Sequence, residues 1–425
     1  LGGGIRVYLD YLGCRLNESE IEALAWRFVE GGHQIVRDPA QADLCVVNTC
    51  TVTQAAARKS RQLVRRLARQ NPQVQIAVTG CHATLAPQEM ARLPNVAWVV
   101  NNTDKARLAT LVAPTLSPAP APASRHLGPG ALGRTRAFVK VQDGCDNHCT
   151  FCVTTLARGP AHSRPRAEVI AEAGALVAAG YQEIVLTGVH LGAYGHDLAQ
   201  RDGLHALVSA LLAETDVPRL RLSSLEPWDL SPDFFDLWAD NRLCRQLHLP
   251  LQSGCDAVLR RMGRRATTAD FSALVDAARA RIPGLALTTD LIVGFPGETK
   301  AEFQASYALV ESLDFARLHV FPYSPRPGTA AARMPDPVPA PVKAERARVM
   351  RRLGARQAHR FRDRFLGHTL PVLWETWHGE DVWHGLTDNY LSVTASCAAN
   401  LANRITPTRL VRTAKNGVWG VPVLP

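Results

Sequence analysis

Lysine is nearly missing from this chain: only six of its 48 basic residues are lysines, and arginine supplies the rest. The net charge of +10 is therefore carried on planar guanidinium forks, which bind phosphate bidentately and suit a nucleic-acid partner. An Arg- and Ala-rich genome would leave the same composition, so charge alone does not decide between the two. Long apolar runs are also absent. Nothing approaches the ~18 apolar residues of a membrane helix, and "LGGGIRVYLDYLG" lacks the charged start and apolar core of a signal peptide. No membrane association is expected, and the cytoplasm is the expected compartment. Leu1 in place of Met is expected of a trimmed or incomplete start. Cysteine is plentiful: ten in a cytosolic chain point to metal or redox chemistry before disulfides.

With 425 residues the chain has room for about three domains of roughly 150 residues each. "APTLSPAPAPASRHLGPG" cannot build a core and reads as a linker, set at 113–133. Residues 1–112 alternate strand and helix. "IRVYLDYLGC", "ADLCVVNTC" and "VQIAVTGC" are strands, and Asn17 with Glu20 reads as a variant capping box before an amphipathic helix. Such alternation implies a parallel sheet, which gathers the carboxyl ends of its strands along one edge. Cys14, Cys50 and Cys81 each follow one of these strands, so three cysteines distant in sequence are expected to meet.

Residues 134–360 repeat the pattern six times, through "AFVKVQ", "EIVLTGV", "RLRLSS", "QLHLPL", "LTTDLIVGF" and "RLHVFPY". Six units suit an incomplete βα barrel with its chemistry at the carboxyl ends of the strands. Gly180 is placed to end the helix "RAEVIAEAGALVAAG". Residues 361–425 alternate like strands, with a hairpin signal at Asn416-Gly417, and predict a small all-β barrel. The fold class is α/β with a carboxy-terminal β module.

The stretch "DGCDNHCTFC" crowds Cys145, Cys149 and Cys152 into one loop. Three thiolates at this spacing can hold three irons of a 4Fe-4S cube and leave the fourth open to a ligand. The spacing alone also fits zinc with His148 or a remote ligand, an electron-transfer cluster with a distant fourth cysteine, or coincidence. Cys45, Cys244, Cys255 and Cys397 sit in apolar or unmatched surroundings and read as ordinary thiols.

The loop, with Phe151 before its last cysteine, resembles the radical S-adenosylmethionine superfamily. "LTGVHLGAYG", "SSLEP" and "LIVGFPGET" occupy the places of that family's cofactor-binding strand ends. The resemblance implies that S-adenosylmethionine chelates the open iron, with contacts from Phe151, Gly188, Ser223, Glu226 and Gly294. "GCRLNESE", "VNTCTV", "VTGC", "HLPLQSGC" and "HVFPYSPRPGT" extend it to the methylthiotransferases over nearly the full length. That family implies a second 4Fe-4S cluster on Cys14, Cys50 and Cys81 that presents sulfur, an electron donor such as flavodoxin or ferredoxin, and a sulfur source. Most similar is the branch acting on threonylcarbamoyladenosine in tRNA, although His162 stands where that branch commonly has arginine. Isopentenyladenosine tRNA and a ribosomal protein aspartate are the alternative substrates, and a non-catalytic zinc-bearing RNA-binding protein is the alternative class.

Two features bear on tRNA. "ARKSRQLVRRLARQ" carries Arg58, Lys59, Arg61, Arg65, Arg66 and Arg69 with no acid among them, an expected phosphate-binding face. The tail resembles the TRAM RNA-binding domain. Among Trp374, Trp383, Tyr390 and Trp419, one or two are expected to stack on bases, with Arg409 and Arg412 facing phosphates.

Overall fold

The computed structural model describes residues 4–113, 128–130, 135–200 and 203–424. Most of the proline-rich segment 113–133 lies outside the described residues. The amino-terminal strands β1 (Arg6–Tyr11), β2 (Gln34–Ile35), β3 (Leu44–Thr49), β4 (Gln75–Gly80) and β5 (Val96–Val99) pair in parallel, in the order β2-β1-β3-β4-β5. β1, β3 and β4 are neighbours, so Cys14, Cys50 and Cys81 leave adjacent strands at one edge. Strands lie about 4.8 Å apart, so that edge brings the three thiols together as expected.

The expected capping box does not form. The first helix spans Arg15–Glu30 with Cys14 at its N-cap and no side-chain cap bond, which places Asn17 and Glu20 inside it, both buried. Asn17 donates instead to the Leu12 carbonyl (2.7 Å), and Glu20 pairs with three cations. The second helix, Gln54–Gln70, does follow its sequence pattern. Thr53 accepts from the Ala56 N–H, while Ala57, Ser60, Val64 and Leu67 form its buried stripe.

In the central region, β6 (Ala137–Lys140) is followed by the two-residue ribbon β7 (Gln142–Asp143) and β8 (His162–Ser163). Then come β9 (Ile184–Thr187), β10 (Leu220–Leu222), β11 (Gln246–His248), β12 (Ala286–Val293) and β13 (Arg317–Pro322). They form two parallel three-stranded sheets, β10-β9-β6 and β11-β12-β13, which bridges at Leu220/Leu243 and Ser224/His248 join into one six-stranded wall. This is the incomplete barrel the sequence predicts. Gly180, at φ +94°, follows the Arg166–Ala178 helix and donates its N–H to the Val177 carbonyl, the left-handed stop expected of it.

The amino-terminal domain closes the gap between the outer strands. Ser19 donates to the Phe138 carbonyl on the free edge of β6 (2.8 Å), while Ser324 and Arg326, just past β13, bond to Gln54 and Thr51.

The tail strands β14 (Thr369–Trp377), β15 (Val382–Thr387), β16 (Ser392–Ser396), β17 (Ile405–Ala414) and β18 (Gly417–Pro422) close into a five-stranded barrel, the fold that the TRAM resemblance implies. Lys415 and Asn416 form the hairpin loop, with Gly417 already paired to Ala414. The Ala340–Asp363 helix leads into the barrel, and Phe361 and Phe365 join its core.

Candidate functional site

One cavity of about 2340 Å³ opens between the amino-terminal domain and the carboxyl ends of the central strands. All six predicted cluster cysteines line it, as do Phe151, Gly188, Ser223, Glu226, Arg58, Arg61 and Tyr390. Gly294 does not line the cavity. It sits at φ +71° with its N–H donated to Glu298 (2.6 Å), and a Cβ there would fall 2.2 Å from the Lys343 side chain. Its smallness admits the Ala340–Asp363 helix, and Lys343 is the residue that reaches the cavity.

Local geometry explains how each triad is held. Gly13, at φ +112°, leads into Cys14, and a Cβ there would meet Cys50 Cβ and Sγ at 2.8 Å, so only glycine admits the two cysteines side by side. Gly144, at φ +69°, turns the chain into Cys145 where a Cβ would strike the Pro160 carbonyl at 1.8 Å. The Asn147 N–H then donates to Cys145 Sγ and the Thr154 N–H to Cys152 Sγ, both at 3.4 Å. Backbone donors to thiolate sulfur are a normal feature of iron–sulfur sites.

Neither triad gathers its sulfurs within 4.8 Å, the convergence that a single ion requires; among the described residues only His248, Asp290 and His319 do so. A cube is wider than an ion, so the donor sets fit clusters and not zinc. The Ser223 hydroxyl and the Tyr323 hydroxyl are buried with no hydrogen-bond partner while their residues line the cavity, as a site built for a polar ligand would leave them.

Sequence reasoning missed the residues around this loop. His190 Nδ1 faces Cys145 Sγ at 3.7 Å and Asn147 Nδ2 at 3.2 Å, and its other nitrogen bonds Asp229. Burial pulls the imidazole pKa down, but the bonds to Asp229 and Cys145 outweigh it and lift it to about 10. Arg264 pairs with Glu226 (2.5 Å), lies 4.3 Å over Trp228 and reaches within 3.9 Å of Cys149 Sγ. Glu226 is thus an ion-paired wall residue. His190 stands two residues after Gly188, a signal within reach; "RMGRR" offered none.

Between the triads lies a buried ion network. Arg158 bonds Glu20 (2.9 Å), Asp143 (2.8 Å) and Asn17 (2.8 Å), and Glu20 also takes Lys105 (2.6 Å) and Lys140 (3.2 Å). Burial opposes ionisation of Glu20, yet Arg158, Lys105 and Lys140 hold its carboxyl well below the usual range.

The predicted RNA residues divide. Arg58, Lys59, Arg65, Arg66 and Arg69 are exposed on the Gln54–Gln70 helix, but other elements supply the acids that the helix lacks: Arg61 meets Glu89 (3.0 Å) and Arg66 meets Asp10 (3.5 Å). Tyr390 is no free stacking platform. Its hydroxyl accepts from Arg15 and Arg136, and its ring lies 4.6 Å from the Arg221 guanidinium. Burial alone would raise its pKa; Arg136, Arg15 and Arg221 together lower it. Trp374 and Trp383 are core, whereas Trp419 stacks with Arg412 at 4.7 Å.

A three-cysteine loop with N–H donors to its sulfurs, at the carboxyl end of a six-stranded partial barrel, defines the class of radical S-adenosylmethionine enzymes. The model of the Radical SAM superfamily matches residues 139–310, and that of the Uncharacterized protein family UPF0004 matches 6–101. Threonylcarbamoyladenosine tRNA methylthiotransferase MtaB of Bacillus subtilis (strain 168) is 37% identical over 94% of this chain and 92% of its own. The Thermotoga maritima protein of the same name is 36% identical over 91% and 90%. Ribosomal protein uS12 methylthiotransferase RimO of Desulforudis audaxviator is 36% identical over 89% and 87%. The chain belongs to the methylthiotransferase family and is a transferase. Its fold is similar to that of the radical S-adenosylmethionine methyltransferase TsrM from Kitasatospora setae, with a TM-score of 0.56, 18% identity and 77% coverage of each chain.

Proposed function

We propose that this enzyme methylthiolates tRNA, converting threonylcarbamoyladenosine beside the anticodon to its 2-methylthio derivative. The observation that carries the reading is the opening of both cysteine triads onto one cavity, which lets a radical and a sulfur source act on the same substrate atom. Curated relatives named for this substrate and exposed arginines on the Gln54–Gln70 helix support RNA as the partner. Cys145, Cys149 and Cys152 hold one 4Fe-4S cluster, and Cys14, Cys50 and Cys81 the other. When bound, these clusters and S-adenosylmethionine supply one-electron cleavage, sulfur and the methyl group.

The protein's own part is position and exclusion of water. Phe151 packs edge-to-face on Phe295 (6.5 Å), stiffening the cluster loop from behind. The unpaired Ser223 hydroxyl offers a bond to the cofactor, and Arg264 keeps Glu226 in place at the cavity wall. His190, braced by Asp229, stands 3.7 Å from Cys145 Sγ, where its positive charge lowers the cost of negative charge on that sulfur. A one-electron donor such as flavodoxin or ferredoxin and a sulfur source complete the reaction.

Nucleoside analysis of tRNA from a deletion strain tests the substrate: 2-methylthio-threonylcarbamoyladenosine disappears and its unmodified precursor accumulates. An unchanged nucleoside profile, with loss of the modification on ribosomal protein uS12, would instead favour the second reading, which rests on the 36% identity to RimO.

A further inference from the structure

The wall of the cavity formed by β11, β12 and β13 is polar where a barrel interior is usually packed with aliphatic side chains. Alternate residues of a strand face one side, and here the cavity receives His248 from β11, Asp290 from β12, and Arg317 and His319 from β13. Register places Asp290 opposite His319 and Thr288 opposite both His248 and Arg317. The result is a tight cluster: His248 Nε2 lies 3.4 Å and His319 Nδ1 3.3 Å from the same Asp290 oxygen, with ring centroids 5.5 Å apart.

The cluster is incompletely satisfied. Neither imidazole makes a well-aligned hydrogen bond to Asp290 Oδ1, which is buried without a proper partner. The Thr288 hydroxyl lies 3.2 Å from the Leu247 carbonyl, to which it donates, and 2.9 Å from His248 Nδ1, from which it accepts; this turns His248 Nε2 to the cluster. Among the cavity's cations, Arg136, Arg158, Arg221 and Arg264 are each paired with a carboxylate, whereas Arg317, like Arg58, Arg326, Lys343 and Arg351, has no acid partner among the described residues; of these unpaired cations, Arg317 is the one carried on the strands of this wall, two residues before His319.

We propose that Arg317, His319, His248 and Asp290 form the subsite that reads the amino-acid group carried by the substrate adenosine. This rests on the tRNA reading above and names how that substrate is chosen. A threonylcarbamoyl group brings a carboxylate, a hydroxyl and ureido N–H groups. The carboxylate answers Arg317 through charge-assisted bonds; the hydroxyl and N–H groups answer the open Asp290 oxygen and the imidazoles. An isopentenyl group offers none of these and would leave the cluster dehydrated and unpaired, the situation in which a polar site rejects an analogue most strongly.

The test uses the full-length enzyme with both clusters reconstituted and two tRNAs of one sequence, carrying either threonylcarbamoyladenosine or isopentenyladenosine, with nucleosides read by mass spectrometry. Arg317→Gln and His319→Leu raise KM for the first RNA by at least about 100-fold, with kcat changed far less and iron and sulfide at wild-type levels. Arg317→Lys, which keeps the charge, recovers part of the loss. Unchanged KM in both variants, while the wild type converts this RNA, overturns the subsite and leaves the substrate reading standing. A wild type that does not convert it overturns both. Lost S-adenosylmethionine binding with KM for RNA unchanged would reassign these residues to the cofactor. One zinc per chain that is lost in the His319 variant would reassign them to a metal.

Discussion

Arg158 is buried and bonds three side chains, the buried Glu20 and Asn17 and the half-buried Asp143. Removing one member of a buried ion network strands the rest, at a cost of about 3–5 kcal/mol. Arg158→Ala is therefore expected to lower the anaerobic melting temperature sharply, while a surface change such as Arg69→Ala leaves it within a degree or two. Glu183 gives a pH signature of the same physics. Burial would raise its pKa, but Arg221, Arg136 and Arg219 hold it at about 2, against 4.5 for a free carboxyl. The depressed value means that its contribution, on the order of 3 kcal/mol, is present above the unfolded pKa and is lost as pH falls from 4.5 toward 2. Melts from pH 7 to 3 should show Glu183→Gln starting less stable than wild type, with the gap narrowing below pH 4.5. Cysteine substitution separates the two metal centres: Cys145→Ala is expected to cut iron from about eight to about four atoms per chain and to leave the other cluster's signal in place.

At the scale of elements, the Gln54–Gln70 helix shows how a charge run divides by function. Arg58, Lys59, Arg65 and Arg69 have no carboxylate partner among the described residues, while Arg61 and Arg66 are engaged by Glu89 and Asp10. Changing Arg65 and Arg69 to glutamine should reduce the salt dependence of tRNA binding by roughly one unit of slope per lost phosphate contact; Arg66→Gln should change it less. The acids lie on other elements, which a pattern within one helix cannot show. The same limit explains the missed capping box: Asn17 and Glu20 carry its signature, but the cations that claim Glu20 are 85 to 138 positions away in the chain. What was legible followed from local rules. The six central strands are legible as short strand-like segments separated by amphipathic stretches, and Cys14, Cys50 and Cys81 by their place after three strands whose ends a parallel sheet must align. Arg264 acts through Glu226 on another loop and no spacing announces it, whereas His190, two residues after Gly188, is within reach of the sequence although its partner Asp229 is not.

At the scale of the molecule, the carboxy-terminal barrel is bound to the amino ends of the central strands, opposite the cluster loop. Arg219 donates to the Pro371 and Leu386 carbonyls, Arg221 to Asp388, Arg136 pairs with Glu375, and Asn403 bonds the Gly180 carbonyl. Tyr390 meets the cavity from that side, so the barrel is a floor of the site. A chain ending at Asp363 should lose thermal stability and solubility together with tRNA affinity, because Arg219 and Arg221 lose their acceptors; light scattering and melting curves would show it.

Glu20 belongs to the amino-terminal half, while Lys140 and Arg158 belong to the central half. Electrically, the two halves are plug and socket. A central half without its mate would keep only Asp143 against Lys140 and Arg158, leaving an excess of positive charge beside the 145–152 loop. On the proposed roles of the two triads, Glu20 would act as an interlock, bracing the loop that makes the radical from the half that presents sulfur.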